Sequence, residues 1–184
     1  IYKDGLKIHT TLDVRMQRYA EEAMQEHLTE HQQKFLGQTA YKDGTVWKSS
    51  NAQNILNTAI KSSDRYQSFR NQDMSDEKAL AAMKVPIKMR VFTWNKMHYK
   101  DTVMSPIDSI KYMKLFLQSG FMAMDPKTGE VKAWVGGLDH TFFQYDHVNV
   151  NTKRQVGSTI KPLLYTFAVN NGYSPCGIVQ TSPQ

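Results

Sequence analysis

The strongest constraint on the fold is an apolar stripe near the end of the chain. Its members recur at the i, i+3, i+4, i+7 and i+8 spacing of one helical face: Ile160, Leu163, Leu164, Phe167 and Ala168. This spacing predicts a helix that buries one face deeply. Gly172 is expected to end the helix, and Pro162 falls in its first turn, where a missing N–H costs little.

A serine and a lysine lie at the start of this predicted helix. Ser158 and Lys161 are three positions apart, so their side chains share one side of the first turn. A serine hydroxyl is a poor nucleophile at neutral pH, but a neighbouring neutral amine can accept its proton. A helix N-terminus disfavours the charged form of such an amine. The pair is therefore a candidate acylation centre.

The Ser-x-x-Lys pattern alone is a weak signal, because a chain of this length is expected to contain about one chance match. A second match does occur, at Ser75-Asp76-Glu77-Lys78. It lies in a charged stretch without the apolar surroundings that form a pocket, so we do not expect a nucleophile there.

A β-hairpin is predicted ahead of the serine. Residues 121–124 and 131–135 are β-prone runs, and the connection between them places Pro126 early and Gly129 late. That arrangement is typical of a type I turn followed by a left-handed residue. A longer loop with interleaved aromatic residues is expected over 138–157.

The remaining predicted elements are mostly helices. Alternating apolar residues predict a strand over residues 6–12, and a long helix should run from an N-cap at Asp13 to a stop at Gly37. The others are short helices over 51–60 and 76–83, a strand over 89–94, and a helix that begins at Ser105-Pro106 and ends at Gly120.

Composition narrows the classes of function only modestly. Hydrophobic residues make up 40% and charged residues 22%, as in a globular protein. The net charge of +6 is spread along the chain without a basic run, so a nucleic-acid partner is not expected. Cys176 is the single cysteine, and His27 and His31 lack a third ligand nearby, so no metal and no cofactor are expected. No apolar run reaches the ~20 residues that span a bilayer.

Two ordered blocks of the sequence resemble class A (bifunctional) penicillin-binding proteins. The first runs from Met124 to Gly137, and is the hairpin that those proteins carry just ahead of the nucleophile. The second runs from Lys153 to Pro162 and continues through Asn171-Gly172-Tyr173-Ser174-Pro175. Where the family usually has Pro and Phe, this chain has Val156 and Ile160.

The start of the chain extends the resemblance. Residues 6–13 resemble the strand and helix that join the family's glycosyltransferase to its transpeptidase. We therefore expect three segments: 1–37 as linker strand and helix, 38–120 as an inserted or peripheral, mostly helical region, and 121–184 as the N-terminal part of the transpeptidase domain. The expected fold class is α+β, a truncated serine β-lactamase or penicillin-binding transpeptidase-like fold. It should pair an antiparallel, hairpin-based sheet with packed helices.

The resemblance implies a peptidoglycan cross-linking D,D-transpeptidase. Ser158 would attack the penultimate D-Ala carbonyl of a stem peptide, Lys161 would act as general base, and β-lactams would acylate the same serine. The implied partners are stem peptides and β-lactam antibiotics, with other cell-wall synthesis proteins as further candidates. The implied location is the cell envelope, at the periplasmic face of the inner membrane, with the glycosyltransferase and membrane anchor preceding Ile1.

The family's two further active-site patterns, Ser-x-Asn and Lys-Thr/Ser-Gly, are expected beyond residue 184. Letter matches at Ser49-Ser50-Asn51 and Lys127-Thr128-Gly129 lie upstream of Ser158, and we interpret both as structural. The isolated chain is accordingly expected to be inactive. Two alternatives stay open: a serine β-lactamase or β-lactam sensor, and a non-catalytic linker or scaffold module that docks other cell-wall proteins.

Overall fold

A computed structural model of the protein describes residues 5–178. The chain divides into two compact units, unit 1 (Ile1–Asn149) and unit 2 (Val150–Gln184). The outer ends of the first and third predicted segments, residues 1–4 and 179–184, lie outside the described residues. Over the part that is described, the fold is α+β, as predicted, with two separate two-stranded antiparallel sheets.

Unit 1 begins with a long helix followed by four short ones. They are α1 (Val14–Leu36), α2 (Thr39–Lys42), α3 (Ser50–Ser62), α4 (Asp64–Asn71) and α5 (Asp76–Ala82), with a 3-10 turn at Thr45–Lys48. Next come β1 (Ile87–Phe92), β2 (Tyr99–Met104), α6 (Pro106–Lys114), β3 (Phe121–Met124) and β4 (Val131–Val135). Among residues 5–178, none of the helices is both long and apolar enough to cross a bilayer.

Helix α1 has the start and end that its sequence predicts. The Asp13 side chain accepts hydrogen bonds from the backbone N–H groups of Arg15 and Met16, which are among the donors that a helix leaves unpaired at its first turn. These two backbone bonds are also the main reason that the pKa of Asp13 lies below its usual value. At the other end, the Gly37 N–H donates to Gln33 O.

The helices of the middle segment share both a cap and a core. Serine side chains cap the N-termini of α3, α4, α5 and α6 through Ser49, Ser63, Ser75 and Ser105. Their apolar faces meet in one buried cluster: Leu56, Ile60, Tyr66, Ala79 and Met83. The helices predicted over 51–60 and 76–83 and the N-cap at Ser105 are therefore confirmed.

Strands β1 and β2 form a hairpin around a buried aromatic residue. Arg90 lies opposite Asp101 in the register, and its guanidinium donates to both carboxylate oxygens at 2.9 and 3.1 Å. Phe92 is completely buried, and its ring meets those of Trp94, Phe116 and Phe143 edge-on. The strand predicted over 89–94 exists but is shifted two residues toward the N-terminus.

The prediction that α6 continues to Gly120 is wrong, because α6 ends at Lys114. The buried amide of Gln32 on α1 accounts for the early end. Its Nε2 donates to Leu115 O at 2.9 Å, and its Oε1 accepts from the Leu117 N–H at 2.8 Å. These bonds give the backbone of residues 115–117 the partners that a further helical turn would otherwise supply.

The second hairpin, β3–β4, forms as predicted. Gly129 adopts a left-handed φ of +76°, its N–H donates to Asp125 O, and the Asp125 N–H donates to Glu130 O, both at 2.9 Å. Phe121 pairs with Val135, and a bulge follows Ala123. Helix α1 packs on β4, so the expected packing of the long helix on a hairpin sheet is also present.

The strand predicted over residues 6–12 is absent, and these residues are exposed. Thr11 Oγ1 donates to Val131 O on β4 at 2.7 Å, and the N–H of the following N-cap residue, Asp13, donates to Lys132 O at 2.9 Å. Farther along the same strand, the side chain of Gln17 binds the backbone of Trp134. A ladder cannot form there because α1 begins at residue 14 and turns the chain out of the strand direction.

Unit 2 contains a 3-10 turn, Gly157–Ile160, that continues into α7 (Lys161–Asn170). The helix ends before Gly172, whose φ of +87° is left-handed, as predicted. The predicted burial of its apolar stripe is wrong: Leu163 is 68% and Phe167 70% exposed. Within the described residues of unit 2 no second helix or strand accompanies α7, so its apolar face has nothing to pack on there.

Candidate functional site

Ser158 and Lys161 occupy the junction between the 3-10 turn and α7. Ser158 is the second residue of the 3-10 turn, Lys161 is the first residue of α7, and both are exposed. In a 3-10 helix, side chains three residues apart eclipse one another. The structure therefore places the predicted serine and lysine on the same side of one turn, in reach of solvent.

The backbone around Ser158 is held by local hydrogen bonds. The Lys161 N–H donates to Ser158 O, and Thr159 donates to Val156 O through both its N–H and its hydroxyl. Gly157 has a φ of +53°, which side-chain-bearing residues adopt at a cost. Sequence analysis overlooked this role of Gly157, although a glycine directly before the serine was a usable signal.

The side chains of Ser158 and Lys161 are not hydrogen-bonded to one another. In the part of unit 2 that the structure describes, no hydrogen bond links Ser158 Oγ to Lys161 Nζ. A serine nucleophile and its base normally lie within hydrogen-bond reach, although the bond is often looser in unliganded proteins. The chemistry that this arrangement suggests is proton transfer from the hydroxyl to the amine, which requires the two side chains to come within hydrogen-bond reach.

Three other segments match the family's active-site sequence patterns, and each has a local structural role. Ser75 caps α5 by accepting from the Lys78 N–H, and Ser49 caps α3 by accepting from the Ala52 N–H. In the hairpin turn, the N–H groups of Lys127 and Thr128 both donate to Asp125 Oδ1. These backbone bonds lower the pKa of Asp125. Each pattern is therefore used in a cap or a turn.

The hairpin block is fixed by residues that sequence analysis did not single out. The Gln17 amide donates to Trp134 O at 3.0 Å and accepts from the Trp134 N–H at 2.7 Å, while the indole N–H of Trp134 donates to Asp146 Oδ2 at 3.1 Å. Gly136 lies close to the same carboxylate: a Cβ there would approach Asp146 Oδ1 to 2.6 Å. The absence of a side chain at Gly136 thus leaves room for Asp146. The sequence alone could not indicate this contact.

The histidine pair on α1 is engaged within the helix. His31 Nδ1 lies 3.1 Å from His27 O, and the two rings are 4.2 Å apart. Over residues 5–178, no group of three His, Cys, Asp or Glu residues is arranged to hold a metal ion.

The middle segment is similar to a known protein family. Residues 42–117, which hold the serine-capped helices, the buried cluster and the first hairpin, match the family described as penicillin-binding protein middle domain. The match lies within the predicted 38–120 segment.

Curated relatives extend the match to the whole chain. Penicillin-binding protein 1A of Rickettsia typhi is 28% identical over 99% of this chain and 25% of its own length. Penicillin-binding protein 2D of Bacillus subtilis is 45% identical over 35% of this chain and 9% of its own length. Penicillin-binding protein 1A of Pseudomonas aeruginosa is 35% identical over 36% of this chain. The chain is thus similar to penicillin-binding proteins over its middle segment and, at lower identity, over its whole length, which confirms the resemblance.

The chain spans a small part of its relatives, at most a quarter of the length of these curated proteins. No solved structure matches it significantly.

Proposed function

We propose that this chain is part of a peptidoglycan cross-linking D,D-transpeptidase in which Ser158 forms the acyl-enzyme. The observation that carries the proposal is the placement of Ser158 and Lys161 on one side of an exposed turn at the start of α7. Relatives named penicillin-binding protein 1A support a role in cell-wall synthesis at the cell envelope. We also propose that residues 121–184 are part of a domain with a transpeptidase-like fold.

In the proposed reaction, Lys161 Nζ takes the proton of the Ser158 hydroxyl while Oγ attacks the penultimate D-Ala carbonyl of a stem peptide. The proton then passes to the departing D-Ala amine. The amine of a neighbouring stem attacks the resulting ester, and the serine is regenerated as the cross-link forms. A β-lactam would acylate Ser158 in the same way, except that its leaving amine stays attached.

The exposed pair explains why the described chain should be a weak catalyst. Serine acylation also requires donors aimed at the oxygen that becomes negatively charged, and a site from which water is excluded. Ser158 and Lys161 are both solvent-exposed here. We therefore expect acylation to be efficient only in a longer chain that contains the family's other active-site patterns.

The test is the intact mass of the protein after incubation with a penicillin, for this chain and for a longer version extended past residue 184. The longer chain should gain the mass of one penicillin, and Ser158→Ala should abolish the adduct. Lys161→Ala should slow acylation by about a hundredfold or more, the loss typical of a general base.

Ser75→Ala is the matched control, because Ser75-Asp76-Glu77-Lys78 has the same pattern and only a capping role. It should leave labelling unchanged. Labelling that survives Ser158→Ala, or that disappears in Ser75→Ala, would show that the nucleophile is assigned to the wrong serine. A longer chain that never labels would favour the non-catalytic scaffold alternative.

A further inference from the structure

Unit 1 contains a cavity of about 480 Å³ whose described lining residues all belong to that unit. Its walls come from α1, from the turn between β1 and β2, and from the end of β4 with the loop that follows. The volume falls in the range of small-molecule sites. The cavity is separate in sequence from Ser158, and the inference drawn from it does not depend on the proposed acyl-enzyme.

Four aromatic side chains line this cavity: Trp94, Trp134, Phe143 and Tyr145. Several of them are held in place before any ligand arrives. Trp134 is fixed through its indole N–H by Asp146, and Phe143 packs edge-on against buried Phe92 at 5.2 Å. Tyr145 is 58% exposed and adds a face that solvent can reach. Fixed aromatic faces present negative electrostatic potential to a ligand.

The charge of the cavity is opposite to that of the chain. Glu21, Asp139 and Asp146 line it, whereas none of its described lining residues is Lys or Arg. The whole sequence, by contrast, has 23 basic and 17 acidic residues. His98 and His140 are its other ionisable lining residues. A concave surface lined by three carboxylates in a basic protein favours a cationic ligand.

His98 lies in the cavity wall and links Gln25 on α1 to Asp139 in the loop that follows β4. Gln25 Nε2 lies 2.9 Å from His98 Nε2, and His98 Nδ1 lies 3.4 Å from Asp139 Oδ2. These two contacts fix the position of Asp139, which lines the cavity.

We propose that the cavity binds a protonated alkylamine. The ammonium group would lie among the carboxylates, and its alkyl chain would lie against the faces of Trp94 and Trp134. Aromatic faces combined with carboxylates recognise ammonium groups through cation–π and ionic attraction together. Such a group can come from a free small amine or from the lysine side chain of a protein.

The first test titrates the ¹⁵N-labelled 184-residue chain with n-butylammonium chloride at constant ionic strength. The indole N–H signals of Trp94 and Trp134 should shift saturably. The signal of Trp47, which packs against the Leu56 cluster and does not line the cavity, should not shift. The neutral analogue 1-butanol should give no saturable shift. Equal shifts with 1-butanol, a matching shift of Trp47, or no shift at all would overturn the proposal.

Matched variants then test charge and aromaticity. Glu21→Gln and Tyr145→Ala should each weaken butylammonium binding by about three- to tenfold. The controls are Glu22→Gln and Tyr19→Ala, which change equally exposed residues of α1 outside the cavity. Both controls should stay within about twofold of the unmodified chain. Controls that weaken binding as much as the cavity variants would contradict a specific site.

A final comparison separates the two sources of the amine. The blocked tripeptide Gly-Lys-Gly is titrated beside butylammonium, with Gly-Gln-Gly as its uncharged control. Tripeptide binding at least as tight as that of butylammonium would assign the site to a protein lysine. Binding of butylammonium alone would assign it to a small amine, and equal binding of the lysine and glutamine tripeptides would argue against recognition of the ammonium group.

Discussion

Helices α3 and α7 carry similar apolar stripes, yet they differ in what covers them. On α3, Leu56 and Ile60 are each only 4% exposed, because α4 and α5 close over them as one cluster. On α7, Leu163 and Phe167 are mostly exposed. An apolar stripe therefore identifies which face of a helix can be buried, but burial requires a second element with a matching face.

The middle-domain segment and the Ser158 segment also differ in their roles. The middle-domain segment holds its core with short helices that each begin at a serine cap, so its structure is locally specified and internally packed. The Ser158 segment is locally specified by Gly157 and Pro162 but is not packed within its described unit. In this chain, stability resides in unit 1, whereas the candidate chemistry resides in unit 2.

The sharpest test of this contrast compares two phenylalanines. Phe92→Ala should destabilise the chain by about 3–5 kcal/mol, because it removes a fully buried ring from an aromatic cluster. Phe167→Ala, which truncates an exposed ring, should change stability by no more than about 0.5 kcal/mol. Urea denaturation followed by circular dichroism measures both. Similar losses for the two variants would show that α7 is packed after all, and the contrast would fail.

A second test concerns the buried amide that holds α1 to the end of α6. Gln32→Ala leaves Leu115 O and the Leu117 N–H without their partner, so we expect a loss of about 2–3 kcal/mol. Gln33→Ala changes the neighbouring exposed glutamine and should cost less than about 0.5 kcal/mol. The same urea titration applies. If the two variants unfold together, the Gln32 amide does not hold unit 1 in the way described.

Much of the fold could be predicted from short stretches of sequence such as helix caps and turns. The candidate site could be predicted only in part. The caps at Asp13 and Ser105 and the left-handed Gly129 are properties of a few adjacent residues, and all three were predicted correctly. The early end of α6 depends on Gln32, whose backbone partners lie more than 80 residues away. A polar residue on a helix gives no sequence signal of which distant backbone it will bind.

A third test replaces Gly157 with alanine. Its expected effect is smaller and is confined to the Ser158 segment. At a φ of +53°, an alanine would cost about 1 kcal/mol and would loosen the 3-10 turn without touching unit 1. Hydrogen exchange at the Lys161 amide, which donates to Ser158 O, should accelerate by about fivefold. Gly172→Ala introduces comparable strain at the other end of α7 and should leave that amide unchanged. Equal acceleration in both variants would mean that α7 frays as one unit, independently of the turn at Ser158.

The smallest expected effect is the contribution of Asp13 to the pH dependence of the stability of unit 1. Backbone hydrogen bonds from Met16 and Arg15 lower the pKa of Asp13 below its usual value of 3.8 in the folded chain. Its contribution to stability is therefore complete above about pH 4 and is lost as the pH falls through the lowered value. Asp13→Asn keeps an N-cap acceptor but cannot ionise, so its stability should decline less than that of the unmodified chain between pH 5 and pH 2. Glu22→Gln, which removes one charge from an exposed position on the same helix, controls for net charge. Parallel pH profiles for the unmodified chain and Asp13→Asn would show that the cap acts through its hydrogen bonds alone, without any contribution from its charge.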